Sequence, residues 1–241
     1  MATPLAIVTG GGKRVGAVLV ERLLAANWAV LAHVHEVGDP VPAGAQSVVA
    51  NLRDADCGKR ILAACAEPPR LLVNCAARFA PDDLPGFDPQ EFAAHMAINV
   101  AAPALLTKAF AAAAGSGSGD RLVVNILDAK LRAPNPDFLS YTLSKAALAA
   151  LTELSARALA GQGVRVNGIA PALMLRSGEQ SDANFERMHR HNPLGRGIDP
   201  EHVWQALRFL LDSPVVTGEV LTLDAGQRFM NLPRDVQFLD D

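Results

Sequence analysis

Residues 5–16, Leu5-Ala6-Ile7-Val8-Thr9-Gly10-Gly11-Gly12-Lys13-Arg14-Val15-Gly16, decide the fold. An apolar run that ends in glycines reads as a short strand buried on both faces, parallel to its neighbours. Beyond the glycines, Val15, Val18, Leu19, Leu23 and Leu24 recur at helical spacing as far as Ala26. Trp28 to His33 is a second apolar run. Strand, glycine-rich turn, helix and strand make a βαβ unit. Its first turn lets backbone N–H groups approach a diphosphate at the helix's amino end. The spacing is Thr9-Gly10-x-x-x-Arg14-x-Gly16 rather than GxGxxG, so the turn alone leaves a plain strand-to-helix connection open.

The pattern repeats downstream. Strands are expected at Val48–Asn51, Leu71–Val73, Leu122–Ile126, Val164–Ile169 and Glu219–Leu223. Helices are expected at Arg60–Ala66 before Pro68-Pro69, across Phe87–Phe110, from Tyr141 to Ala160 and at Glu201–Leu211. Ala111 to Gly119 reads as a helix tail and a loop, and residues 172–196 as polar and irregular. Alternating strands and helices argue for one α/β unit over residues 1–241, a doubly wound parallel sheet of Rossmann type with helices on both faces. Sites in such sheets lie outside the carboxyl ends of the strands, where Gly10, Asn74, Asp128 and Pro171 fall.

Composition narrows the class. The chain has 241 residues, 50% of them hydrophobic, which suits a globular protein with a substantial core. A net charge of -3 gives no electrostatic case for nucleic acid or an anionic membrane. Cys57, Cys65 and Cys75 have no metal-ligand spacing and no CxxC, so they read as reduced packing residues in a cytoplasmic protein without a metal. No apolar stretch is long enough to span a bilayer. The first strand begins almost at once, so no signal peptide is expected.

Tyr141 and Lys145, four residues apart, share one helix face. An ammonium beside a phenol favours the phenolate, so Lys145 is expected to lower the Tyr141 pKa and make it a general acid/base. YxxxK alone also fits a surface helix pair.

Taken together, Thr9-Gly10-x-x-x-Arg14-x-Gly16, Asn74-x-Ala76, Asn99, Tyr141-x-x-x-Lys145, Arg165-Val166-Asn167 with Pro171, Pro193-Leu194-Gly195-Arg196 and Thr217-Gly218-Glu219 with Asp224-x-Gly226 resemble the short-chain dehydrogenase/reductase family over nearly the whole chain. The resemblance implies a nicotinamide dinucleotide and a catalytic set of Asn, Ser, Tyr and Lys. Asn99, Tyr141 and Lys145 match. Asp128 stands where the family usually has Ser, which resembles the pteridine reductase branch. Lys13-Arg14 in the turn, His33-Val34-His35 and Phe79, matching an aromatic that stacks on a pterin, point to the same branch. Ala77 in place of a serine, Glu36 in place of an arginine and Ala172 after Pro171 depart from it.

The diphosphate is expected against Gly10, Lys13, Arg14, Val15 and Gly16, and the adenine near Asn51 and Leu52. Further cofactor contacts are expected from Asn74, Ala76, Tyr141, Lys145 and Pro171. Val34 cannot accept a bond from a ribose 2′-hydroxyl, whereas Lys13, Arg14, His33 and His35 offer donors to a 2′-phosphate, so NADP(H) is favoured, with Glu36 as counter-evidence. Arg14, Phe79 and Leu173 are the substrate candidates. The resemblance implies that Asn99 positions a water in a proton relay and that the chain forms homotetramers. The apolar tail residues Phe229, Met230 and Phe238 suggest that the tail reaches a neighbouring subunit. Three functions stay open: reduction of a pterin- or folate-like ring, reduction of an ordinary carbonyl or ketoacyl group, and a catalytically silent nucleotide-binding regulator.

Overall fold

The computed structural model describes residues 3–113, 119–176 and 180–239. Seven strands form one parallel sheet: β1 Leu5–Thr9, β2 Ala29–Val34, β3 Gln46–Val49, β4 Leu71–Asn74, β5 Arg121–Ile126, β6 Val164–Pro171 and β7 Val220–Leu223. Their spatial order is β3-β2-β1-β4-β5-β6-β7. The chain leaves β1 toward one edge and returns past it to β4, so the direction of winding reverses between β1 and β4. Ligands bind such sheets at that crevice.

Successive strand residues point to opposite faces. Ala6, Val8, Val30, Ala32, Leu71 and Val73 pack with α1 Arg14–Ala25 and α7 Pro200–Asp212, through Leu19, Val20 and Leu23 of α1 and Val203, Leu207 and Leu210 of α7. Ile7, Leu31, Leu72, Val123 and Val166 face the other way, onto α2 Cys57–Ala63, α4 Ala102–Ala112 and α5 Leu139–Leu159. Each buried Leu or Ile contributes about 1.5–3 kcal/mol against exposure. The sheet therefore holds its strand ends as a rigid platform for the site.

Some expected boundaries move. β3 lies two residues earlier than Val48–Asn51, and α2 covers Cys57–Ala63 and stops before Pro68. No helix joins β2 to β3. The connecting loop packs Val41 and Ala45 on the core instead. The helical run over 87–110 is divided into α3 Pro89–Met96, a π-helical segment Ala97–Ala101 and α4. Within 172–196, taken as irregular, α6 Asp182–His189 forms, capped by Ser181, whose Oγ accepts from the Asn184 N–H. Its apolar residues Ala183, Phe185 and Met188 make no helical stripe, so periodicity missed it. The expected loop after Ala113 lies in part, at 114–118, outside the described residues.

Candidate active site

A cavity of about 1010 Å3 opens at the carboxyl ends of the strands. One end is the turn after β1. Gly10 takes a positive φ of 64°, and a Cβ on Gly16 would lie 2.1 Å from the Gly10 carbonyl oxygen, so only glycine fits there. Thr9 Oγ1 accepts from the Cys75 and Ala76 N–H groups, each at 3.0 Å, and so fastens the turn to the end of β4. Arg14 has φ 52°, a left-handed conformation that costs a non-glycine residue about 1 kcal/mol or more. Its guanidinium donates to the carbonyls of Arg176 at 2.8 Å and Leu175 at 3.4 Å, so it reaches toward the loop after β6.

The cavity brings together Gly10, Lys13, Arg14, Val15, Gly16, His33, His35, Asn51, Leu52, Ala76, Phe79, Asp128, Tyr141, Lys145, Pro171 and Leu173 of the expected residues. Asn74 and Asn99 are not on its wall. Asn74 Nδ2 donates to Asn125 Oδ1, behind the strand ends. Asn99 is turned inward by the π-helical segment, a feature common at functional sites. Its Oδ1 accepts from the Arg78 N–H at 2.7 Å, and its Nδ2 donates to the Arg78 carbonyl and to Ser144 Oγ, both at 2.9 Å. Both amide hydrogens are engaged, so the side chain clamps the loop after β4.

His33 also has a different task. It is buried, its Nδ1 accepts from the Gly10 N–H at 3.3 Å, and its Nε2 donates to the Ala50 carbonyl at 2.9 Å. Burial pushes its pKa down. It is a neutral latch between the turn and β3, with no nitrogen left for a phosphate. His35 is exposed and lines the cavity, whereas Glu36 is exposed and does not line it.

At the other end, Asp128 follows β5 and Tyr141 lies in the first turn of α5. The Tyr141 hydroxyl donates to Asp128 Oδ2 at 2.9 Å, and the Lys130 N–H donates to Asp128 Oδ1 at 2.8 Å. Burial pushes the Asp128 carboxyl above its ordinary pKa, against the Lys130 N–H, Tyr141 and Lys145. Burial first, then Asp128, pushes the Tyr141 phenol well up as well. The expected lowering by Lys145 is not found, because burial and then Asp128 drive the phenol the other way. Lys145 Nζ donates to the Ile126 carbonyl at 2.6 Å, and burial pushes the ammonium down to about 8.

Phe79 lies at the mouth. Its ring stacks on Phe138 with centroids 4.4 Å apart and meets Tyr141 edge-on at 4.7 Å. Phe138 in turn stacks on Phe238 at 5.7 Å. The tail thus folds onto its own chain. Arg234 pairs with Asp137 through Nε and Nη2, the Asp235 N–H donates to Asp137 Oδ2, and Lys130 Nζ meets Asp235 at 3.2 Å. Arg234, Asp235 and Gln237 line the cavity. Sequence patterns did not reveal Phe138, Lys130, Arg234 or Asp235. For Arg234 and Asp235 the only signal was an apolar, charged tail with no helix to belong to.

Cys57, Cys65 and Cys75 are unpaired thiols, and burial holds Cys65 and Cys75 at about 11. Among the described residues no cluster suits a metal ion, and no helix is long and apolar enough to cross a membrane.

A family model described as enoyl-(acyl carrier protein) reductase matches residues 25–228. The chain belongs to the short-chain dehydrogenase/reductase family. Among short-chain reductases of known structure it resembles FolM alternative dihydrofolate reductase 1 of Brucella suis, solved in complex with NADP. That match has a TM-score of 0.87 and 33% identity over 94% of this chain and 95% of the other. The dihydromonapterin reductase of an Escherichia coli strain is 30% identical over 92% of this chain and 95% of its own length. The (3R)-3-hydroxyacyl-CoA dehydrogenase of Rattus norvegicus is 28% identical over 94% of this chain and 96% of its own.

Proposed function

We propose that the protein is an NADPH-dependent reductase of a pterin- or folate-like dihydro ring. The observation that carries this reading is the Asp128–Tyr141 hydrogen bond beneath the Phe79 ring, an acid pair beside an aromatic wall. The likeness to FolM in complex with NADP and to a dihydromonapterin reductase supports both the ring and the cofactor.

The backbone between Gly10 and Gly16 would hold the diphosphate of a dinucleotide, because the turn closes so tightly that no Cβ could occupy Gly16 and it leads into α1 at the cavity wall. Leu52 would take the adenine, Lys145 the nicotinamide ribose, and Lys13 and His35 a 2′-phosphate. When bound, the reduced nicotinamide supplies a hydride. Asp128 supplies the matching proton. Burial favours its protonated form, which can pass that proton to a ring nitrogen or the adjoining carbon. The ring gains one hydride and one proton, and Asp128 is left as a carboxylate that accepts from Lys130 N–H and Tyr141 O–H until solvent reprotonates it. Phe79 holds the ring by stacking, and Arg14, aimed at the loop after β6, fixes its polar edge.

Reduction of a ketoacyl group is the second reading. It is favoured by the hydroxyacyl-CoA dehydrogenase relative and disfavoured by the absence of a serine at position 128. The exposed face of α5, with Leu143, Ala146, Ala150 and Leu154, supports assembly into a homotetramer, and the free thiols suit the cytoplasm.

Asp128→Asn is the test. It keeps the shape and removes the proton, so turnover of a dihydropterin should fall by about a hundredfold or more, with NADPH affinity unchanged by titration. Full turnover in this variant would give first place to the carbonyl reading, with Tyr141 as the proton donor.

A further inference from the structure

We propose that His95 is a positioning residue that sets Phe79 against the substrate ring. The proposal rests on the reading of Phe79 as the stacking surface.

Phe79 sits in an irregular segment and is 40% exposed, so its contacts with Phe138 and Tyr141 leave part of the ring open and the loop backbone must help to place it. The two residues beside it are fixed. On one side the Arg78 N–H and carbonyl are both held by the Asn99 amide. On the other, the Ala80 N–H donates to His95 Nε2 at 3.3 Å. His95 and Asn99 are four residues apart, one in α3 and one in the π-helical segment that follows. Together they clamp the loop on either side of the aromatic ring.

The His95 ring is fully buried at 0% exposure and lies behind the cavity wall. Its chemistry follows from its partners. Nε2 receives a proton from Ala80, so it carries none of its own. Nδ1 then carries the ring proton and donates to the Glu91 carbonyl at 3.0 Å, with the Glu91 carboxylate 3.2 Å away. Glu91 also pairs with the Arg78 side chain. The neutral imidazole therefore spans from the first turns of α3 to the residue after Phe79. An apolar side chain of the same size would fill the space and leave the Ala80 N–H buried without an acceptor.

Two substitutions separate the bonds. Asparagine can replace Nδ1 toward Glu91 and is too short to reach Ala80. Glutamine can place its carbonyl oxygen near the Nε2 position. His95→Asn should raise the KM for a dihydropterin about tenfold, the size expected for an orphaned buried donor next to a stacking residue, and leave kcat and the NADPH KM within about twofold. His95→Gln should restore the KM. Hydrogen exchange at the Ala80 amide should quicken in the first variant and recover in the second. The deciding experiment is the double-mutant cycle with Phe79→Ala. If His95 acts through Phe79, His95→Asn adds nothing once the ring is gone. An undiminished effect in the Phe79→Ala background, or an effect on kcat or on the NADPH KM, would overturn the proposal and leave His95 a residue of the fold. Phe79→Ala with a normal dihydropterin KM would instead reject Phe79 as the stacking surface, which is a separate failure.

Discussion

At the Gly10–Gly16 end the cavity wall is backbone; at the Asp128–Tyr141 end it is side chains drawn from segments far apart in the chain. The first end is set mainly by backbone, a left-handed Gly10 and a Gly16 against the Gly10 carbonyl, with the buried His33 side chain latching the turn to Ala50. The second is set by ion pairs and ring stacks, Arg234 with Asp137, Lys130 with Asp235, and Phe138 with Phe79 and Phe238. A backbone wall suits a ligand that does not vary. A side-chain wall can change its ligand by substitution without disturbing the sheet.

The largest expected effect tests the backbone end. Gly16→Ala puts a Cβ 2.1 Å from the Gly10 carbonyl oxygen, and neither atom belongs to a flexible side chain. The turn must open, and NADPH affinity should fall by about a hundredfold or more, roughly 2.7 kcal/mol. Titration by cofactor fluorescence measures it. Unchanged affinity would mean that the turn does not grip the cofactor and that the two ends differ less than their construction says.

The contrast also explains what could be read from sequence. Glycine spacing is local, and so is the alternation of apolar strands and helices, so the parallel sheet and the Gly10–Gly16 turn were legible. Tyr141, Lys145 and Asp128 were legible because a fixed interval in one chain segment brings them together. Phe138, Arg234 and Asp235 were not, because Arg234 reaches Asp137 across 97 positions of sequence and no periodicity encodes that. The chemistry of individual groups was the hardest part. The sequence pairs Tyr141 with Lys145, whereas burial and Asp128 dominate the phenol and push its pKa the other way. His33 reads as a phosphate donor in the sequence, but both of its nitrogens bond to the protein.

Cofactor choice gives a smaller effect. With His33 engaged, Lys13 and His35 are the exposed basic groups left at the expected 2′-phosphate position. NADPH should bind about tenfold more tightly than NADH, close to 1.4 kcal/mol. Lys13→Glu should remove or reverse that preference. Equal affinities in the wild-type protein would contradict the assignment.

Smaller again is the tail. The Arg234–Asp137 pair is half exposed on the arginine side, at 52%, and solvent screening leaves such pairs weak. Arg234→Ala should therefore raise the dihydropterin KM no more than about fivefold, with kcat and NADPH affinity unchanged. Loss of NADPH affinity as well would show that the tail serves both ends and would blur the distinction between them.

The last prediction asks whether the side-chain end is held against the stability of the fold. Burial raises the Asp128 pKa, so the folded protein keeps this proton to higher pH than the unfolded chain, whose carboxyl titrates near 3.8. Between the unfolded and folded values the native state binds more protons, and stability falls as pH rises. The penalty is absent below the unfolded value and complete above the folded one, at about 1.4 kcal/mol for each unit of upward shift. Asp128→Asn removes the ionisation, keeps an amide oxygen to accept from the Lys130 N–H, and turns an amide N–H toward the Tyr141 oxygen, which can accept it. In urea melts the variant should match the wild-type protein near pH 3.5 and exceed it at pH 7, while losing turnover. Such a result would place catalytic strain at the Asp128 end. A variant less stable than wild type at pH 7 would mean that the Asp128 charge holds the site together through Lys145 and Lys130. The substrate end would then be as much a part of the scaffold as the turn opposite it.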